Sequence, residues 1–180
     1  MTILKPQKWE EELLLKQCIK QFNNPITLHS GDTSTWMFDA GKILENPVLS
    51  ANINRWLTSI LNDDIFLFGV EFFGAVLLSS LSRPFGIIRK DGSVYRSPFE
   101  DRLPIWAEYL SIGIFDDVVT TGNSILSAET IISKKYNKKV DSYWCILNRG
   151  NINGINSYIS QETLHEFLER NKLPLAIKGG

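Results

Sequence analysis

The run Ser111-Ile-Gly-Ile-Phe-Asp-Asp-Val-Val-Thr-Thr-Gly-Asn-Ser124 constrains the fold more than any other stretch of the 180 residues. Ile112, Ile114 and Phe115 leave no polar face, so Ile112–Phe115 reads as a buried strand, the kind found in parallel sheets covered by helices. Its carboxyl end carries Asp116 and Asp117. Thr120, Thr121 and Gly122 then form a small polar turn, and a helix is expected near Ser124–Lys135.

The chain repeats that alternation. Ile65–Phe68, Phe85–Ile88 and Val140–Leu147 read as strands, with a helix around Ala75–Leu81 and a last one near Gln161–Arg170 that Ser160 would cap. Strands alternating with helices imply crossover units, hence an α/β fold with a mainly parallel twisted sheet flanked by helices. Upstream, Trp9, Leu13, Leu14, Cys18, Ile19 and Phe22 recur at helical spacing, so a helix is expected over residues 8–22, stopped by Asn23, Asn24 and Pro25. Two short extended pieces, Ile26–His29 and Trp36–Asp39, flank the turn at Ser30, Gly31 and Asp32, and a helix runs from Pro47 to about Leu61. With 43% hydrophobic residues and no Pro/Gly-rich linker, residues 1–180 are expected to form one domain.

Several function classes drop out. Nineteen Lys and Arg against twenty Asp and Glu give a net charge of −1, which excludes a global polycation built for nucleic acid. The most apolar stretch, Ile65–Leu78, is broken by Gly69, Glu71 and Gly74 and is too short to span a bilayer. No secretory signal pattern opens the chain, so a cytoplasmic location without membrane contact is expected. Cys18 and Cys145 read as buried free thiols of a reducing compartment. His29 and His165 lack a metal-ligand companion pattern, and neither a G-x4-G-K-[ST] loop nor a G-x-S-x-G elbow occurs.

The chemistry therefore concentrates at residues 116–124. A turn that opens a helix can offer several backbone N–H groups and two hydroxyls to a phosphate. Adjacent carboxylates beside it suit a ribose diol or, through water, Mg²⁺. Anion cradle and diol acceptor together describe a ribose-5-phosphate site.

This block resembles the signature with which type I phosphoribosyltransferases bind 5-phosphoribosyl-1-pyrophosphate (PRPP). Phe68-Gly-Val-Glu-Phe-Phe-Gly-Ala75 occupies the place of that family's pyrophosphate loop. Within the family, the orotate enzymes are the most similar. Residues 27–41 look like their N-terminal segment around the orotate and pyrophosphate sites, and Ile87-Ile-Arg-Lys90 looks like the opening of their catalytic loop. Leu147-Asn-Arg-Gly150 resembles the motif whose arginine meets the pyrimidine, and residues 157–164 resemble the start of the last helix.

The resemblance implies the type I phosphoribosyltransferase fold with a small N-terminal hood, from about residues 1–45 plus the C-terminal segment. It implies transfer of ribose 5-phosphate from PRPP to a nitrogenous base with release of pyrophosphate, orotate giving orotidine 5′-monophosphate being the leading case. It further implies Mg²⁺ as cofactor, brought by PRPP and reached by Asp116 and Asp117 through water, and a homodimer. Asp116, Asp117, Lys90 and Arg96 are the implied catalytic residues. Asp116, Asp117, Val118, Val119, Thr120, Thr121, Gly122, Asn123 and Ser124 would hold the ribose and 5′-phosphate; Gly69, Val70, Glu71, Phe72, Arg89 and Lys90 the pyrophosphate; His29, Met37, Phe38 and Arg149 the base. The segment from Lys90 to Leu103, with Arg96 and Arg102 as its cations, is expected to be a mobile flap or, alternatively, a fixed hairpin. Two other functions stay open: transfer to a different base, and a PRPP- or nucleotide-binding regulator that keeps the cradle without turnover.

Overall fold

The computed structural model describes residues 4–28, 31, 33–60, 64–81, 83–96 and 111–174. In chain order the elements are α1 (Lys8–Cys18), β1 (Ile19–Thr27), β2 (Thr33–Phe38), α2 (Gly41–Glu45), α3 (Pro47–Ile60), β3 (Ile65–Val70), α4 (Glu71–Ser79), β4 (Gly86–Ile88), β5 (Val94–Arg96), β6 (Ser111–Val119), α5 (Asn123–Tyr136), β7 (Ser142–Asn148), β8 (Ile155–Ser157) and α6 (Gln161–Arg170). β1 and β2 form an antiparallel pair of their own, and the other six strands form one sheet in the order β5–β4–β3–β6–β7–β8. Every pairing in the six-stranded sheet is parallel except β4 with β5. The expected α/β architecture, a mainly parallel sheet flanked by helices, is what the chain adopts.

That order fixes where a ligand belongs. From β3 the chain passes through α4 to β4 on one side, and from β6 through α5 to β7 on the other. The chain thus leaves the adjacent strands β3 and β6 in opposite directions, which makes a topological switch point at their carboxyl ends. Gly69 pairs with Phe115, so the chain turns out of β3 at Val70-Glu71 beside Asp116-Asp117, which continue in β6 alongside β7 as far as Val119.

Alternation along the central strands sorts side chains between two layers. Phe66, Phe68, Ile112 and Ile114 pack with Ile125, Ala128 and Ile132 of α5. Leu67 and Phe115 face the other way, into a core with Leu14 of α1, Leu57 of α3, Leu78 of α4 and Leu168 of α6. Burying each such large side chain contributes about 1.5–3 kcal/mol, so both helical layers are held by the same strands. Among the described residues no helix is long and apolar enough to cross a membrane. Cys18 and Cys145 are free and buried, as expected, and burial pushes the Cys18 thiol up to about 12.

Three boundaries differ from the sequence reading, each for a stated reason. The helix expected over residues 8–22 ends at Cys18, because Ile19, Lys20 and Gln21 pair with Phe38, Met37 and Trp36 of β2. Tertiary pairing overrides the helical stripe there, and Asn23-Asn24-Pro25, expected as a stop, lies inside β1 where the register shifts between Gln21 and Ile26. The helix expected from Ala75 begins instead at Glu71, directly after β3, because Glu71 adopts a left-handed backbone (φ 55°) that turns the chain without a loop. Finally, Val94–Arg96 pairs with β4, so the described first half of the segment after Lys90 is a hairpin. Residues 97–103, the remainder of that expected flap with Arg102, lie outside the described residues.

The N-terminal elements are fastened to the far end of the chain. Trp36 Nε1 donates to the Pro174 carbonyl (2.7 Å), Ser160 Oγ to Glu11 (2.8 Å) and Arg170 Nη2 to Glu12 (2.9 Å). Lys8 pairs with Glu166 at 2.6 Å.

Candidate active site

β6 carries Asp116 on the face that packs against α5, and the two acids end up in different surroundings. Asp116 is buried; its Oδ2 accepts the Ser124 hydroxyl (2.8 Å) and its Oδ1 the Asp117 N–H (2.9 Å). Burial, and next the charge of Asp117, raise the Asp116 carboxyl to about 8. Asp117 is half-buried, and burial raises its carboxyl as well. A pair of this kind accepts and donates hydrogen bonds at neutral pH and lowers its own electrostatic penalty when a positive charge comes near.

Beside the acids, Thr120, Thr121 and Gly122 form the turn that the sequence implied. Gly122 takes φ 80° as the N-cap residue of α5, and Thr121 Oγ1 accepts the Asn123 N–H (3.4 Å). Gly122 has no side chain to cap α5, so apart from the Asn123 N–H that meets Thr121 Oγ1 the first turn presents backbone N–H groups at its positive end, the requirement for an anion. Val118 is half-buried and Val119 fully buried, and Val119 packs in the core that anchors the turn.

A second turn, residues 148–152, braces this cradle. Gly150 donates its N–H to the Val119 carbonyl (3.1 Å), and a Cβ at Gly150 would lie 1.7 Å from the Thr120 carbonyl oxygen, so only glycine fits there. Ile152 reaches to within 3.9 Å of where a Cβ on Gly122 would stand. Asn148 closes the turn on itself: its Nδ2 donates to the Ile152 carbonyl and its Oδ1 accepts the Ile152 N–H, both at 2.9 Å. Gln161 Nε2 adds a bond to the Asn148 carbonyl (2.5 Å). Ile152 and Gln161 were not singled out in the sequence; an isoleucine in a loop and a glutamine at the start of a helix carry no signal without the fold.

On the other side of the switch point, Gly69, Val70, Glu71 and Phe72 run from β3 into α4. The two glycines of this loop serve packing: a Cβ on Gly74 would lie 2.8 Å from the Phe115 carbonyl oxygen, and one on Gly69 2.7 Å from the Ala75 nitrogen. Glu71 Oε1 accepts the backbone N–H of Lys90, which joins this loop to the end of β4. Phe72 is 68% exposed, a large apolar side chain open to solvent beside the acids' strand. Arg89 and Lys90, both exposed, occupy the β4–β5 turn.

The residues implied for the base are more scattered. Arg149 is buried at the end of β7: its guanidinium lies 3.7 Å from the centre of the Trp36 ring, its Nη2 donates to Ser34 Oγ (2.5 Å) and its Nη1 to the Trp36 carbonyl (3.5 Å). Ser34, which the sequence did not mark, is therefore what locks this cation to β2. Phe38 is buried in the core, whereas Met37, on the opposite face of β2, is half-buried. His29 and the side chain of Arg96 lie outside the described residues.

The sequence matches no protein-family model and no curated protein. Solved structures do match. UMP synthase of Leishmania donovani superposes with a TM-score of 0.65 at 14% identity, over 92% of this chain and 38% of that one, so this chain spans well under half of that enzyme. Orotate phosphoribosyltransferase of Aeropyrum pernix gives 0.63 at 17% identity, over 91% of this chain and 99% of that one. Adenine phosphoribosyltransferase of Trypanosoma brucei, solved with AMP, pyrophosphate and ribose-5-phosphate, gives 0.58 at 16% identity, over 89% and 85%. With its parallel sheet, its switch point between β3 and β6 and these superpositions, the chain has the type I phosphoribosyltransferase fold.

Proposed function

We propose that the protein transfers ribose 5-phosphate from PRPP to a nitrogenous base, with orotate the leading base. The observation that carries this reading is the placing of Asp116 and Asp117 beside the glycine-opened N-terminus of α5 at the switch point. The first turn of α5, with Thr120–Ser124, takes the 5′-phosphate, and the two carboxyls take the ribose hydroxyls. In the reaction a base nitrogen bonds to the anomeric carbon as the bond to the pyrophosphate oxygen breaks; that oxygen keeps the electron pair, and the base gives up its proton. Positive charge builds on the ribose ring, and the carboxyl pair stabilises it. Arg89 and Lys90, with the loop from Gly69 to Phe72, stand where the leaving pyrophosphate belongs. The hard oxygen donors of Asp116 and Asp117 fit Mg²⁺, which when bound with PRPP would neutralise charge on the departing group.

Orotate is supported by the superposition on an orotate enzyme; Arg149 can meet a carboxylated pyrimidine only by exchanging its bonds to Ser34 and Trp36 for the base. One observation favours the regulator as a second reading: residues 89–96 are a paired hairpin and not a free loop. Incubating the purified protein with PRPP, Mg²⁺ and a panel of bases, and following pyrophosphate release, tests both. Release with orotate is expected. Release with another base alone corrects the specificity, PRPP binding without release selects the regulator, and neither binding nor release refutes the ribose-phosphate reading. Size exclusion in the same preparation checks for the homodimer.

A further inference from the structure

Glu71 combines two features that the proposed reaction does not require of it. It holds a left-handed backbone conformation at φ 55°, uncommon for a residue with a Cβ and maintained only where the surroundings enforce it. Its carboxylate accepts the N–H of Lys90, a donor in the β4–β5 turn where Arg89 N bonds to the Ser93 carbonyl (3.0 Å) and Gly92 N to the Arg89 carbonyl (2.9 Å). The side chains of Arg89 and Lys90 are exposed on the same turn. A carboxylate oxygen thus sits on a backbone donor of a turn that also carries Arg89 and Lys90, a donor that a phosphate oxygen could take in its place.

We propose that Glu71 is a built-in anion gate: its carboxylate holds the Lys90 N–H and has to leave that donor before a pyrophosphate group can take it. This rests on the reading of the neighbouring cradle as a PRPP site. One N–H cannot serve two anions, so pyrophosphate must break the Glu71 contact and meet its negative charge at close range. The gate therefore weakens pyrophosphate specifically, and it favours release of that product after transfer. The 5′-phosphate, held at α5 on the other side of the switch point, is indifferent to it.

Isothermal titration with inorganic pyrophosphate and with ribose 5-phosphate, both without divalent metal, tests this on the wild type, Glu71→Gln and Glu71→Gly. Gln keeps an oxygen for Lys90 and loses the charge; Gly loses both and suits the left-handed backbone. Pyrophosphate is expected to bind Glu71→Gln about fivefold to tenfold more tightly than wild type, the effect of removing one like charge at a half-exposed position, and Glu71→Gly at least as tightly. Ribose 5-phosphate should bind all three alike. Pyrophosphate affinity that is unchanged or weaker in both variants, while ribose 5-phosphate still binds, overturns the gate. Loss of both ligands together assigns Glu71 a structural role and overturns it too. A wild type that binds no ribose 5-phosphate removes the PRPP reading itself, and the gate with it.

Discussion

Replacing Asp116 by Asn should make the fold more stable, and increasingly so as pH rises. The folded protein keeps a proton on Asp116 up to about 8, whereas the unfolded chain releases it near the ordinary 3.8. Below 3.8 both states are protonated and nothing is gained or lost. Between the two values the folded state binds more protons than the unfolded state, so each rise in pH pulls the equilibrium toward unfolding. One group contributes about 1.4 kcal/mol per pH unit in that window. From pH 5 to pH 7, the proton held by the Asp116–Asp117 pair should therefore remove up to about 3 kcal/mol of stability from the wild type. Asn resembles the protonated carboxyl: it is neutral, and its Oδ1 still accepts a bond from Ser124 or Asp117. Urea unfolding at pH 5, 6 and 7 measures the difference, which should widen in favour of Asp116→Asn by roughly that amount. The gain should come with weaker ribose 5-phosphate binding, the usual exchange where a site holds strained charge. Parallel stability curves for the two proteins would refute the argument, since Asp116 would then titrate alike in both states.

Arg149→Ala removes a charge-assisted bond to Ser34 and the contact with Trp36, and should cost about 3 kcal/mol in urea unfolding; if Arg149 also reads the base, orotate affinity should fall more than PRPP affinity. Asn148→Asp turns the donor facing the Ile152 carbonyl into an acceptor and should cost about 1–3 kcal/mol by the same measurement, while an unchanged midpoint would mean the turn holds without that bond. Gly150→Ala drives a methyl into the Thr120 carbonyl and should weaken ribose 5-phosphate binding at least tenfold, measured by calorimetry; full affinity would show the cradle can move away without loss.

The central strands and the turn before α5 were legible because their signals are local. Ile112–Phe115 has no polar face and Thr120–Gly122 has the residues of a turn, but the strand runs on past Phe115 through Asp116 and Asp117 to Val119, because β7 pairs with it there. The N-terminal elements were less legible. Trp9, Leu13 and Phe22 fit a helical stripe, yet Ile19–Gln21 pair with β2, and that partner is invisible from the α1 side. The start of α4 was misplaced because a left-handed glutamate has no sequence signature. Asn148 carried no signal of its turn-closing role: both ends of its amide are used, one as donor and one as acceptor, which a carboxylate cannot match. Braces such as Ser34, Ile152 and Gln161 act across more than one element, so only the folded chain reveals them.

The bond from Trp36 to the Pro174 carbonyl spans 138 positions. On a ribosome adding 5–20 residues per second, that acceptor appears about 7–28 s after the tryptophan. For most of that interval α1 and β2 have neither Arg149 nor α6 to cover them, and Leu14, Leu15 and Trp36 lack part of their burial. The switch-point strands, complete earlier, would assemble first and the N-terminal elements would be fastened last. A newly made chain should thus be protease-sensitive near its N-terminal elements until Pro174 has been made.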